Sequence, residues 1–254
     1  MVGWFDTPNG PTFPELVLQG LSSIEGGYDR LSSKFDESVF RTPDQILNGL
    51  ASQLFRCGRA LDIGCGTGAV LQKLQGFANE VVGVDLSRKM LARARTQLGP
   101  APTLLRGDFL KMYWEESFDL ITSVGVLGHI PPRDQDKFFG RVYTALRPGG
   151  MFLTVTGDLR GRPWVYLPAL AFDSLMRVRN IFWRPTFVMY YLSFVLPGAR
   201  RVLERQGFAC QVLDGSFSVP FSQLKIVLAR KPYSSAAAGA IHADGDRSSL
   251  SRPG

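Results

Sequence analysis

The chain has 254 residues, 45% of them hydrophobic, enough for one domain with an elaboration and a core of ordinary size. Its 29 Lys and Arg against 22 acids give a formal charge of +7, yet the basic residues are scattered, which speaks against a nucleic-acid-binding block. Cys57, Cys65 and Cys210 form neither a CxxC pair nor an even set, so a disulfide framework and a cysteine zinc site are both excluded, and a reducing cytoplasm is the default expectation.

At the start of the chain, Asp6, Pro8, Pro11 and Pro14 stand where an export signal would need a basic start and an unbroken apolar run. Residues 1–27 show no clear period and are expected to form an arm that orders partly on a domain spanning 28–232. Ile46, Leu47, Leu50, Leu54 and Phe55 recur at helical spacing behind Thr42-Pro43-Asp44, a cap and first turn. From there short apolar runs alternate with amphipathic stretches. The predicted strands are 60–63, 80–85, 103–106, 118–123 and 151–156, and the predicted helices are 69–74, 88–98 and 134–146. A helix at 198–206, ended by Gly207, precedes strands near 208–213 and 225–230. This order predicts a doubly wound, Rossmann-like, mainly parallel seven-stranded sheet, with ligand binding beyond the C-terminal strand ends. Residues 233–254, rich in Ser, Ala and Gly, are expected to be a disordered tail.

The first strand runs into Gly64-Cys65-Gly66-Thr67-Gly68 and then a helix, a crossing where backbone amides are free and a ligand can approach the main chain. The spacing is GxGxG rather than GxGxxG, and Asp62 just before it would repel a pyrophosphate. It suits a ligand carrying an ammonium group, whose carboxylate the nearby amides can take. The second strand ends in Asp85, about 20 residues past the first glycine, where an acid can hold both ribose hydroxyls. Asp108, in Arg106-Gly107-Asp108-Phe109 after the third strand, reads either as a loop cap or as an acceptor for an adenine amino group with Phe109 packed on the ring; its register after the other two acids favours the second.

Four stretches carry a family resemblance: Leu61-Asp62-Ile63-Gly64-Cys65-Gly66-Thr67-Gly68; Val82 to Leu91; Phe118-Asp119-Leu120-Ile121 leading to Val126-Leu127-Gly128-His129-Ile130; and Leu146-Arg147-Pro148-Gly149-Gly150. With them, residues 28–231 resemble the class I S-adenosylmethionine-dependent methyltransferases, especially those acting on small molecules. The resemblance implies S-adenosyl-L-methionine as cofactor and S-adenosyl-L-homocysteine as product. It implies that Asp62, Gly64 and Gly66, with Cys65 and Gly68 of the same loop, cradle the amino-acid end. Asp85 would hold the ribose, Leu86 and Met90 would line the adenine, Asp108 and Phe109 would lie on its far edge, and Ser123 at the end of the fourth strand completes the set. Tyr28-Asp29, followed by Phe35-Asp36, resembles a paired Tyr-Asp element that closes over the cofactor; with Phe at 35, Tyr28 is the one that keeps a hydroxyl.

Methyl transfer from a sulfonium needs alignment in a dry site and no metal. His129 is the only core histidine available as a base for a hydroxyl or amine, or else it simply packs near the cofactor. About 40 residues separate the fifth strand from the helix near Gly198, far more than such connections use. This insertion (158–197) is crowded with aromatics interleaved with Arg160, Arg162, Arg177, Arg179 and Arg184. It is expected to roof the strand ends and shape an apolar acceptor pocket; the competing readings are a subdomain that packs on the core or a second subunit, and a peripheral face that docks on a membrane. Its longest apolar stretch, 187–196, is about half the ~20 residues of a spanning helix. No Asn-Pro-Pro-aromatic element follows the fourth strand, which continues Ser123-Val124-Gly125 and so weakens a nucleic acid substrate; a protein substrate stays as the other enzyme alternative. A cofactor-binding scaffold without catalysis is the alternative of another class.

Overall fold

The computed structural model describes residues 9–233, so the expected tail from 234 onward lies outside the described residues. Its strands are β1 (Cys57–Ile63), β2 (Ala78–Asp85), β3 (Thr103–Arg106), β4 (Phe118–Ser123), β5 (Leu146–Asp158), β6 (Val195–Leu196), β7 (Ala209–Leu213) and β8 (Leu224–Arg230). Seven of them run in the order β3-β2-β1-β4-β5-β8-β7, and the two-residue β6 pairs with β5 off this path. The first five are mutually parallel, while β8 runs antiparallel to both of its neighbours, β5 and β7. The chain winds outward from β1 to β3, then crosses to β4. That reversal opens a crevice at the carboxyl ends of β1 and β4.

Both faces of the central strands are covered, so their residues alternate between two cores rather than between core and water. Leu61, Ile121 and Phe152 join one cluster with Phe138, Phe139 and Phe194. Their neighbours Ala60, Leu120 and Leu153 join the other with Ile46, Leu50 and Leu71. The covering helices include α3 (Asp44–Ala51), α4 (Ala69–Leu74), α5 (Arg88–Leu98), α6 (Pro132–Ala145) and α8 (Gly198–Arg205).

Before Tyr28, where the sequence shows no period, the structure has α1 (Phe13–Gly20) and the start of α2 (Ile24–Leu31). Each is 8 residues long, too short for a stripe to show, and each is defined by its caps. Thr12 and Glu15 form a capping box, and Ser23 Oγ accepts from the Gly26 amide at 3.0 Å. The insertion holds one long helix, α7 (Pro163–Phe182), and a loop that returns to the sheet. Asp173, 3% exposed, turns inward from α7 and accepts from the Tyr191 and Leu192 amides at 2.7 and 3.0 Å. That buried carboxylate ties the loop to the helix.

Candidate functional site

A cavity of about 280 Å³ opens at the crevice. Of the residues the sequence nominates, Tyr28, Asp62, Gly64, Cys65, Gly66, Asp85, Leu86, Met90, Asp108, Phe109 and His129 all line it. Two nominees, Ser123 and Gly68, are not among the lining residues. Ser123 is fully buried and spends its hydroxyl on the Ile63 carbonyl, 3.1 Å away, binding β4 to β1. Gly68 ends the loop with φ +98°, and the space its Cβ would take is filled by Leu98, 2.6 Å away. It lets α4 and α5 approach one another.

The remaining glycines divide in the same way. A Cβ on Gly64 would lie 2.1 Å from Val126, so this residue is small to bring two loops together. A Cβ on Gly66, where φ is +53°, would meet nothing closer than Phe35 at 4.0 Å, and Gly66 faces the cavity. Of the three, Gly66 leaves open space on the cavity side, while its amide is donated to Asp85.

Three acids stand around the loop. Asp62, 2% exposed, accepts the Thr122 hydroxyl at 2.7 Å. Burial pushes its carboxyl up to about 7, against the pull of that hydrogen bond and with a push from Asp85. A carboxylate this starved of solvation gains most from a cation arriving beside it. Asp85 accepts from the Gly66 amide through Oδ2 and from the Ser87 amide through Oδ1, both at 2.8 Å. Burial raises its pKa too. The two amide bonds leave lone pairs for hydroxyl donors, and the same carboxylate braces the glycine loop. Asp108 accepts from the Leu110 amide at 3.0 Å and so does cap its turn while lining the cavity. Phe109 is held beneath it, stacked on Trp114 and edge-on to Phe138.

The paired aromatic-acid element splits its labour. Asp29 accepts from the Ser87 hydroxyl at 2.5 Å and the Lys89 amide at 3.1 Å, fastening α2 to the start of α5. Asp36 accepts from the Thr67 hydroxyl at 2.6 Å and from Gln97 at 2.7 Å. The acids are therefore bolts into the cofactor loop and α5, while Tyr28 and Phe35 line the cavity.

Sequence reasoning misses the partner of Tyr28. Its hydroxyl lies 2.8 Å from His129 Nε2, and His129 Nδ1 lies 2.5 Å from the Val188 carbonyl. A carbonyl only accepts, so Nδ1 carries the ring proton and Nε2 receives the tyrosine hydroxyl. Burial lowers the pKa of His129 and raises that of Tyr28, which keeps both neutral. Phe187 stacks on Tyr28 and sits edge-on to His129. The two residues stand 101 positions apart, so no local pattern pairs them.

No residue of the 158–197 insertion is among those lining this cavity. Its loop stands behind the site instead, through Phe187 and Val188. Asn180 secures it: Oδ1 accepts from the Phe187 amide at 2.9 Å and Nδ2 donates to the Phe187 carbonyl at 3.1 Å.

Residues 60–150 match the protein family described as "Methyltransferase domain". The cyclopropane-fatty-acyl-phospholipid synthase of Escherichia coli is 34% identical over 141 residues, 52% of this chain and 36% of that protein. The chain therefore spans about a third of that relative's length. The ubiquinone biosynthesis O-methyltransferase of Nitrobacter winogradskyi is 28% identical over 86% of this chain and 77% of its own length. A solved S-adenosylmethionine-dependent methyltransferase from Mesorhizobium loti superposes with a TM-score of 0.56 at 27% identity, covering 72% of this chain and 96% of that one.

Proposed function

We propose that this chain is a class I S-adenosylmethionine-dependent methyltransferase that methylates a small, largely apolar acceptor that must lose a proton, a reading supported by the match of residues 60–150 to the methyltransferase-domain family. The cavity supports the fit of the cofactor: Gly66 leaves open space, Asp62 is a buried carboxylate suited to an ammonium, and Asp85 and Asp108 offer acceptors to hydroxyl and amino groups. When bound, the cofactor supplies a methyl group on a positively charged sulfur.

The observation that carries the reading is the Tyr28–His129 pair on the cavity wall. With Nδ1 committed to Val188, the imidazole offers its one lone pair at Nε2, toward Tyr28. A proton leaving the acceptor's oxygen or nitrogen passes to Nε2, directly or through the tyrosine oxygen as the tyrosine's own proton moves on. Were the methyl group taken up by that acceptor, the proton released would be left on the imidazole of His129. Ile24, Phe35, Phe40, Val126 and Ile130 line the cavity and exclude water from this exchange. Relatives named for ubiquinone biosynthesis and for a fatty-acyl phospholipid support an apolar acceptor.

Turnover of labelled cofactor against lipid, phenol, amine and RNA pools tests the proposal. A phenol, amine or lipid acceptor is expected. His129→Gln should then lose about a hundredfold or more in kcat while keeping cofactor affinity. Methylation of RNA alone, or cofactor binding with no acceptor in any pool, contradicts it, and so does a His129→Gln variant with full kcat.

A further inference from the structure

The outward side of α7 is apolar along its length. Trp164, Leu167, Leu175, Val178, Ile181 and Phe182 fall within one helical strip, and three of them are conspicuously bare: Trp164 is 69% exposed, Ile181 71% and Phe182 82%. The opposite side is the one that packs, through Met176 and Phe172 onto Phe187 and Tyr190. Nothing in the described residues covers the strip. Such a patch marks a contact surface.

Its charge surroundings choose the partner. The helix has a single acid, Asp173, which is buried and bound to two backbone amides. Arg177 and Arg184 are exposed cations beside the strip, and Arg160 is paired with Asp158 at 2.7 Å. A second copy docking strip to strip would set arginines near arginines, whereas an anionic surface complements them. The helix is 20 residues long, but no helix among the described residues is apolar enough to cross a membrane. A strip with Trp and Phe, rimmed by arginine, lies in an interface rather than through it. At its far end, Arg179 Nη2 reaches the Ser22 carbonyl at 3.4 Å, which sets α7 against the link to α1, whose Phe13 and Leu18 are also exposed.

We propose that α7 docks this protein on an anionic lipid bilayer, its apolar strip in the headgroup boundary and its arginines on lipid phosphates. This goes beyond the proposed activity and is read without turnover.

The test is cosedimentation of the full chain with vesicles of mixed phosphatidylglycerol and phosphatidylcholine, and with vesicles of phosphatidylcholine alone. Binding to the first is expected to exceed binding to the second by about tenfold or more, and to weaken between about 0.1 M and about 1 M salt. Arg177→Gln with Arg184→Gln should remove most of that preference, and Leu175→Glu with Phe182→Glu should cut binding to the mixed vesicles about tenfold or more. Unchanged unfolding midpoints and unchanged S-adenosylhomocysteine affinity certify the folds; if a double variant fails that check, Trp164→Glu replaces it with the same expectation. Three results overturn the proposal: no sedimentation with either vesicle, equal sedimentation with both, or a dimer that Leu175→Glu with Phe182→Glu splits while the intact chain ignores lipid.

Discussion

The segment from β1 to β5 and the insertion after it use similar residues to opposite ends. In the first, apolar side chains are matched to the two faces of a sheet, and polar ones have set partners: Asp62 with Thr122, and Asp85 with the Gly66 and Ser87 amides. In the second, one side of α7 packs and the other carries as much apolar surface with nothing against it. The difference teaches that apolar periodicity reports what shuns water, not what it meets.

The contrast breaks first in stability. Phe139 is fully buried between Phe138, Phe152 and Phe194, so Phe139→Ala should cost about 3–5 kcal/mol in denaturant unfolding. Phe182→Ala on the open strip should fall within about 0.5 kcal/mol of the intact chain. Equal costs would mean that the strip is covered. A smaller effect sharpens one link between the regions. Asn180 holds the loop whose Val188 carbonyl fixes His129, without touching the cavity itself. Asn180→Ala should lower kcat about tenfold and move the pH-rate profile of the base while cofactor affinity stays put. An unmoved profile would reduce Asn180 to packing.

The smallest expected effect is one of pH. Asp62 has an ordinary pKa near about 4 and is pushed up to about 7 in the fold. Its contribution to stability is therefore present below its ordinary pKa and fades as pH rises through about 7. An ammonium-bearing ligand favours the ionised form, so affinity should fall by up to about tenfold per unit below pH ~7 and level off above it. Asp62→Asn should flatten that slope in calorimetry; a slope that survives the substitution belongs to another group.

The strands were legible because each is a short apolar run bounded by glycine or a charge, and β3 and β4 begin and end where the pattern says. Asp62 and Asp85 were placed by register at the ends of adjacent strands, where both line the cavity. The bond from the Ser123 hydroxyl to the Ile63 carbonyl was not legible, since it joins two strands whose register the sequence does not give. The Tyr28–His129 pair and its Val188 support come from three separate parts of the chain, brought together by packing that no local spacing encodes. The insertion's aromatics could not be divided by pattern into those that pack and those that face outward, such as Trp164 and Phe182.

The central claim is that the crevice is a cofactor site centred on Asp62, Gly66 and Asp85. Calorimetric titration of the intact chain with S-adenosylhomocysteine, repeated on Asp85→Asn, tests it most directly. The account predicts one equivalent bound by the intact chain and an affinity at least about tenfold weaker in the variant, with its unfolding midpoint retained. No heat of binding from the intact chain, or equal affinity in both, would contradict it.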